Sequence, residues 1–202
     1  MKLIPRTLSL VTLLAIGVSA SAQKIKLVEG SLGVLKGQTQ MNVIYNYDSL
    51  GVGKFANEAD YIEKKVTEYN KKEPGRGDSW VKAWKSDRAR RFEPKFNDLF
   101  NEYGDLKLGK SKKAKYTLIL KTTFVEPGWN IGISRKKASV NTEALIVPNE
   151  DLTKVLARVT ITKAPGGTFG GYDFDTGTRI AESYAITGKK LAKFIKKKAK
   201  KG

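Results

Sequence analysis

"AKYTLILKTTFVEPG", residues 114–128, alternates Tyr116, Leu118, Leu120, Thr122 and Phe124 with Thr117, Ile119 and Thr123. A period of two marks a strand with one buried face. Two later runs behave in the same way: "ASVNTEALIVP" (138–148) and "KVLARVTIT" (154–162), the latter with Val155, Ala157, Val159 and Ile161 on one side. The turn-rich segments "EPGWNIGISRK" and "PNEDL" separate the three, so the second half of the chain predicts an antiparallel meander.

Working outward, "QTQMNVIYNYDS" (38–49) sets Met41, Val43, Tyr45 and Tyr47 against Asn42, Ile44 and Asn46, which predicts one more strand. A weaker strand signal covers Ile25 to Val28. Between this strand and the meander the period changes. "ANEADYIEKKVTEYNKKEPG" (56–75) places Tyr61, Ile62, Val66 and Tyr69 on one helical face, with Asn57 as N-cap and Pro74-Gly75 as a stop. "GDSWVKAWKSDRARRF" (77–92) predicts a second helix, capped by Asp78 or Ser79 and carrying Trp80 and Trp84 on one face. "KFNDLFNEYG" (95–104) predicts a third, ended by Gly104. The last segment, "TRIAESYAITGKKLAKFIKKKAKKG" (178–202), is again helical, with Ile180, Tyr184, Leu191 and Ile195 on one stripe and Gly188 where the helix passes close to the sheet. The expected fold is α+β: an antiparallel sheet of about four strands, helices mainly on one face and a long C-terminal helix.

The first 22 residues have Lys2 and Arg6 ahead of an apolar run and end on Ala20-Ser21-Ala22. They are expected to be a secretory signal peptide, because the run has about half the length a membrane anchor needs. Residues 23–202 are then one domain with a Lys-rich tail, periplasmic or secreted. The 202-residue chain carries a net charge of +18; Lys2 and Arg6 supply two of these charges, leaving 16 on the remainder. Such an excess points to anionic partners and says nothing about fold. For an exported chain, anionic lipid, lipopolysaccharide or acidic glycan is a nearer partner than nucleic acid, for which no recognised binding module is present. With no His and no Cys, Ser-His-Asp and Cys-His catalysis, thiol redox chemistry and the usual zinc and copper ligand sets are excluded. No cofactor or metal is expected.

"GGYDFDTGTRIAESY" (170–184) contains Asp175-Thr176-Gly177, the tripeptide of aspartic proteases. A pepsin-like enzyme needs two such loops, and the sequence has one. The glycines Gly166, Gly167, Gly170 and Gly171 fit neither phosphate-loop pattern. Asp173, Asp175 and Gly177 resemble the start of a calcium loop, but Tyr184 stands where the closing Glu belongs. The plainer reading is a turn whose Asp175, Thr176 or Thr178 caps the final helix. Arg76-Gly77-Asp78 matches the integrin tripeptide, but three-residue matches are common by chance and Asp78 is better explained as a helix cap.

The block from about residue 114 to 197 resembles α+β modules of bacterial envelope proteins of the CsgG and TolB N-terminal type. Through "KKEPGRGDSW", "FVEPGWN" and "GGYDFDTGTRIAESY", the whole chain after residue 22 is similar to uncharacterised exported proteins of the Bacteroidetes. These resemblances imply an envelope location and no catalytic motif, and the chain lacks a lipoprotein Cys.

The densest functional signal is the C-terminal run Lys189, Lys190, Lys193, Lys196, Lys197, Lys198, Lys200 and Lys201, with no acid after Glu182. The first six are the candidate anion-binding residues; the plainer reading is a solvated helix end whose dipole favours cations. Trp80, Trp84 and Trp129 are candidate ligand contacts through ring stacking, set against packing roles. The expected function is a non-enzymatic envelope or interaction protein whose basic helix contacts an anionic partner. The alternative is a carboxylate-based hydrolase acting on carbohydrate, drawing on Asp78, Asp87, Glu93, Glu126, Asp173 and Asp175.

Overall fold

The computed structural model describes residues 23–167 and 173–200. The expected leader, residues 1–22, and the centre of the glycine-rich stretch, residues 168–172, lie outside the described residues.

The meander forms as its alternation requires. β5 (Tyr116–Glu126), β8 (Ala138–Pro148) and β9 (Ala157–Gly166) pair antiparallel in sequence order. Leu118, Leu120, Ala144, Ile146, Val159 and Ile161 point to one side and are completely buried. On that side lies α4 (Thr176–Ala199), whose stripe of Ile180, Tyr184, Leu191 and Ile195 closes the core.

The expected sheet of about four antiparallel strands is too small and has the wrong pairing: the main sheet has seven strands and is mixed. β1 (Lys24–Gly30) adds antiparallel to β9, extending one edge. On the other side of β5, β2 (Gln40–Asn46) and the short β3 (Gly51–Val52) both run parallel to it, and β4 (Lys107–Gly109) runs parallel to β2 at the edge. The reason is the connection. A tight turn delivers an antiparallel neighbour, whereas the long excursion through three helices returns the chain to the end at which it started, as parallel pairing demands. The expected α+β class and the long C-terminal helix are both present.

The three helices after β3 are α1 (Glu58–Asn70), α2 (Arg76–Asp87) and α3 (Glu93–Tyr103). Asn57 caps α1, its side chain accepting from the Asp60 amide at 2.9 Å. Neither Asp78 nor Ser79 caps α2: the helix opens one turn earlier, after Gly75. Gly77 sits inside that turn, where a Cβ would fall 2.7 Å from the Val66 carbonyl oxygen, so Arg76-Gly77-Asp78 belongs to a helix packed on α1. α2 and α3 join through a single π-helical segment at Arg88–Phe92.

α3 and α4 run side by side in the same direction. Phe92 stacks on Tyr184 at 5.2 Å, Gly188 meets Phe96, and Asp105 beyond α3 pairs with Lys196. Gly188 therefore permits close approach to α3 and not, as the sequence suggests, to the sheet. Close approach to the sheet falls to Gly166 of β9, where a Cβ would lie 2.0 Å from the Arg179 carbonyl oxygen.

A second departure concerns Phe124. The alternation places it with Leu118 and Leu120, but the β5–β8 register slips between Thr122 and Phe124. One extra residue turns all later side chains over, so Val125 is buried in place of Phe124. β9 carries a matching irregularity opposite Asn141, whose side chain accepts from the Lys163 amide at 2.7 Å; Lys163 has a left-handed φ of 55°.

Candidate functional site

The candidate anion-binding residues lie on the last three turns of α4. Because Leu191, Ala192 and Ile195 are held in the core, the intervening positions Lys190, Lys193, Lys196, Lys197 and Lys198 are exposed. Two of the six lysines have neighbours on α3: Lys189 and Lys193 stand 4.1 and 4.7 Å from the ring centre of Tyr103. Lys196 pairs with Asp105. The ring and the carboxylate fix the near edge of the ridge, while Lys190, Lys197 and Lys198 face outward. Asp105, although exposed, is held below the usual carboxylate range, first by its hydrogen bond from Lys196.

Next to this ridge a cavity of about 130 Å³ opens between α3, α4 and the segment before β2, lined by Leu35, Phe100, Leu106, Ala192 and Ile195 with Lys196 at its rim. Pockets that enclose a small molecule measure about 300–1,000 Å³. This cavity is smaller than that range.

The tryptophans fall into two settings. Trp80 and Trp84 stack at 5.6 Å inside a cluster with Tyr61 and Tyr69, and Trp84 is buried with its indole N–H donated to Glu58 Oε1 at 2.6 Å. Glu58 also receives Lys85 and Arg88. Burial alone would raise its pKa, but these hydrogen bonds outweigh it and hold the carboxyl low. This pair is committed to packing α1 against α2. Trp129 is different: it stands 47% exposed on a separate hairpin of β6 (Trp129–Asn130) and β7 (Arg135–Lys136).

Asp175 is the N-cap of α4. Its Oδ1 accepts from the Thr178 amide at 2.7 Å and from the Thr178 hydroxyl at 2.9 Å, and Arg91 reaches the same oxygen. Burial pushes this carboxyl up, but the Thr178 and Arg91 hydrogen bonds prevail and lower it. Asp175→Ala is expected to cost about 1 kcal/mol, read as a lower urea midpoint at neutral pH. A carboxyl depressed in the folded state stabilises above its unfolded pKa, and that contribution is lost as pH falls through the folded value. Parent and variant should therefore begin to converge only as pH falls below about 4, the unfolded carboxyl's range.

Among the acids available to a hydrolase, Asp87 and Asp175 come together, bridged by Arg91 at the start of α4. Burial, then the charge of Asp175, raises the Asp87 carboxyl against the opposing pull of Arg91. Gly177 fills the space between, its absent Cβ 2.2 Å from Asp87 Oδ2, so the two carboxyls face a helix terminus and not a cleft. Glu126 pairs with Lys136 at 2.7 Å, Glu93 accepts from the Tyr47 hydroxyl at 3.3 Å, and Asp173 accepts from Asn130 at 2.8 Å. Asp78 is exposed in the first turn of α2. Among the described residues, no group of three or more acids could hold a metal ion.

What composition and spacing did not single out is Arg179, buried to 3% exposure in the first turn of α4. Its guanidinium donates to five oxygens. Nη1 reaches the carbonyls of Asp173 (2.5 Å) and Phe174 (2.9 Å), Nη2 the Gly128 carbonyl (3.4 Å) and Thr176 Oγ1 (2.9 Å), and Nε the Pro127 carbonyl (3.3 Å). It thereby ties the root of the β6–β7 hairpin to the segment entering α4. No signal in the linear sequence marks this role, because two of its acceptors, the Pro127 and Gly128 carbonyls, lie 52 and 51 positions away.

No protein-family model matches the chain, and no curated protein matches it. Among solved structures it is similar to the PelC dodecamer from Paraburkholderia phytofirmans in two crystal forms. The identities are 14% and 13% and the TM-scores 0.36 and 0.34, over 82% of this chain and 97% and 96% of those chains. Scores this low do not carry the fold or function of one chain to the other.

Proposed function

We propose that this is an exported, non-enzymatic binding protein that rests the basic end of α4 on an anionic envelope surface of lipid, lipopolysaccharide or acidic glycan. The observation that carries the reading is the division of α4. Its apolar stripe is consumed by the core, so the lysines are rigidly presented and the contact is peripheral and electrostatic. No described helix is long and apolar enough to cross a membrane.

Substitution is the right test, since a truncation at Gly188 would also remove Leu191 and Ile195 from the core. Lysines near an anionic membrane contribute about 1 kcal/mol each. The triple variant Lys190→Ala, Lys197→Ala and Lys198→Ala should therefore bind phosphatidylglycerol vesicles or lipopolysaccharide about 100-fold more weakly at low salt, with its melting temperature unchanged. Equal binding by parent and variant would sink the reading. Parallel titrations with lipid vesicles and with an acidic polysaccharide identify which anion is preferred.

A further inference from the structure

The opposite end of α4 carries a second feature. The β6–β7 hairpin holds its strands by two residue pairs, Trp129 with Lys136 and Asn130 with Arg135. The chain turns at Gly132, with φ of 83°. Exposure of its apolar side chains rises toward the tip: Trp129 is 47% exposed, Ile131 66% and Ile133 97%. Phe174, 60% exposed, stands beside the root, because the Phe174 and Gly128 carbonyls share the guanidinium of Arg179 and Asp173 accepts from Asn130. Next in sequence come Arg135, Lys136 and Lys137, all exposed. Lys136 lies 5.4 Å from the Trp129 ring centre. Behind them is a groove of about 570 Å³ lined by Phe124, Lys136, Lys137, Asn141 and Lys163.

We propose that this hairpin, with Phe174, inserts into the outer layer of a phospholipid bilayer while Arg135 and Lys137 meet lipid phosphates. The order of side chains carries the assignment. Branched aliphatics occupy the tip, and the indole and the cations stand together behind it, Arg135 opposite Asn130 and Trp129 opposite Lys136, which matches the step from hydrocarbon to an interface of aromatic rings and charged headgroups at a membrane surface. A protein groove would satisfy the apolar tip but gives no reason for the cations behind it. The tip is not loosely attached: the buried Arg179 and the Asn130–Asp173 bond fix the root, so the element is presented in one orientation. About 20 Å of helix, the 13 steps from Thr176 to Lys189 at 1.5 Å each, separates this end from the start of the lysine ridge. The proposal goes beyond the contact assigned to that ridge and does not depend on it.

The experiment uses residues 23–202 with phosphatidylcholine vesicles, with and without phosphatidylglycerol, at about 1 M salt, where the Debye length falls to about 3 Å and lysine contacts are screened. Binding should persist there. The double variant Ile131→Ser with Ile133→Ser should partition at least about 10-fold more weakly, as expected for withdrawing two buried aliphatic side chains. Its circular dichroism and melting temperature should stay unchanged, because both side chains point into solvent. The lysine triple variant should behave as parent in this salt, which separates failure of the hairpin from failure of the ridge. Acyl-brominated lipids should quench the parent's tryptophan fluorescence, and Trp129→Phe should abolish that quenching. Loss of all binding at high salt overturns the proposal, as does parental partitioning by the double variant or quenching unaltered in Trp129→Phe. So does a lipid-free change of oligomeric state in the double variant without any effect on vesicles, which would assign the tip to a second copy of the chain.

Discussion

Replacing Arg179 with methionine lowers the unfolding free energy by about 3–5 kcal/mol, the order expected when several buried carbonyls lose one charged donor together. Methionine fills a similar apolar volume, so the loss is not a cavity effect. It comes from the carbonyls of Pro127, Gly128, Asp173 and Phe174, which lose their charged donor in a site where the guanidinium is 3% exposed. A buried acceptor left unpaired costs about 1–3 kcal/mol, and relaxation of the segment entering α4 keeps the total below the sum of such terms. For a chain of this size the melting temperature falls by about 10 °C. Arg179→Lys recovers only part of this, because an ammonium lacks the planar fork that spans both segments. Hydrogen exchange adds a spatial signature: amides near 128–130 and 174–178 should lose protection well before those of β8. A change below about 1 kcal/mol, or protection lost evenly across the sheet, would show that the guanidinium is not the tie between hairpin and helix.

Such a tie was not legible in the sequence, and the reason separates what was readable from what was not. The strands of the meander were readable because Leu118, Leu120, Ala144, Ile146, Val159 and Ile161 obey a local period, and the period reflects burial on one face. The caps Asn57 and Asp175 were readable because a cap acts on an amide three residues away. The pairing of β2 with β5 was not, since residues 42–46 meet 117–121 only through a crossover of three helices, and no residue on either strand records the direction of its neighbour. Phe124 obeyed the pattern and still ended on the opposite face, because one extra residue at a bulge leaves the composition of the strand unchanged. The site divides in the same way. A lysine ridge is a property of consecutive residues and could be read directly. The separation of Trp129 from Trp80 and Trp84 could not, because all three are tryptophans beside helix or turn signals, and only the fold buries Trp84 on Glu58 while leaving Trp129 in solvent.

Gly188→Val gives the second large effect and tests how the lysine end is held. Intrinsic propensity argues that replacing a mid-helix glycine should help: Gly costs about 1 kcal/mol relative to Ala in a helix interior. Packing argues the reverse. A Cβ at 188 would lie 2.3 Å from the Phe96 carbonyl oxygen and 3.2 Å from the Phe100 amide nitrogen, backbone atoms of α3 that no side-chain rotation can move aside. Overpacking of this kind costs about 1–3 kcal/mol and more when backbone must shift. Gly188→Ala is therefore expected to lose about 1 kcal/mol net despite its propensity gain, and Gly188→Val about 3 kcal/mol or more, both measured by urea unfolding. The sign for alanine decides between the two arguments, since propensity alone predicts stabilisation. The consequence reaches the proposed contact. α3 supplies Tyr103 under Lys189 and Lys193, and Asp105, just beyond it, holds Lys196. Forcing the helices apart should loosen the ridge as well as the core, weakening anionic-vesicle binding in Gly188→Val with all eight C-terminal lysines intact. Undiminished binding by that variant would show that the ridge acts through its charge alone and not through its seat on α3.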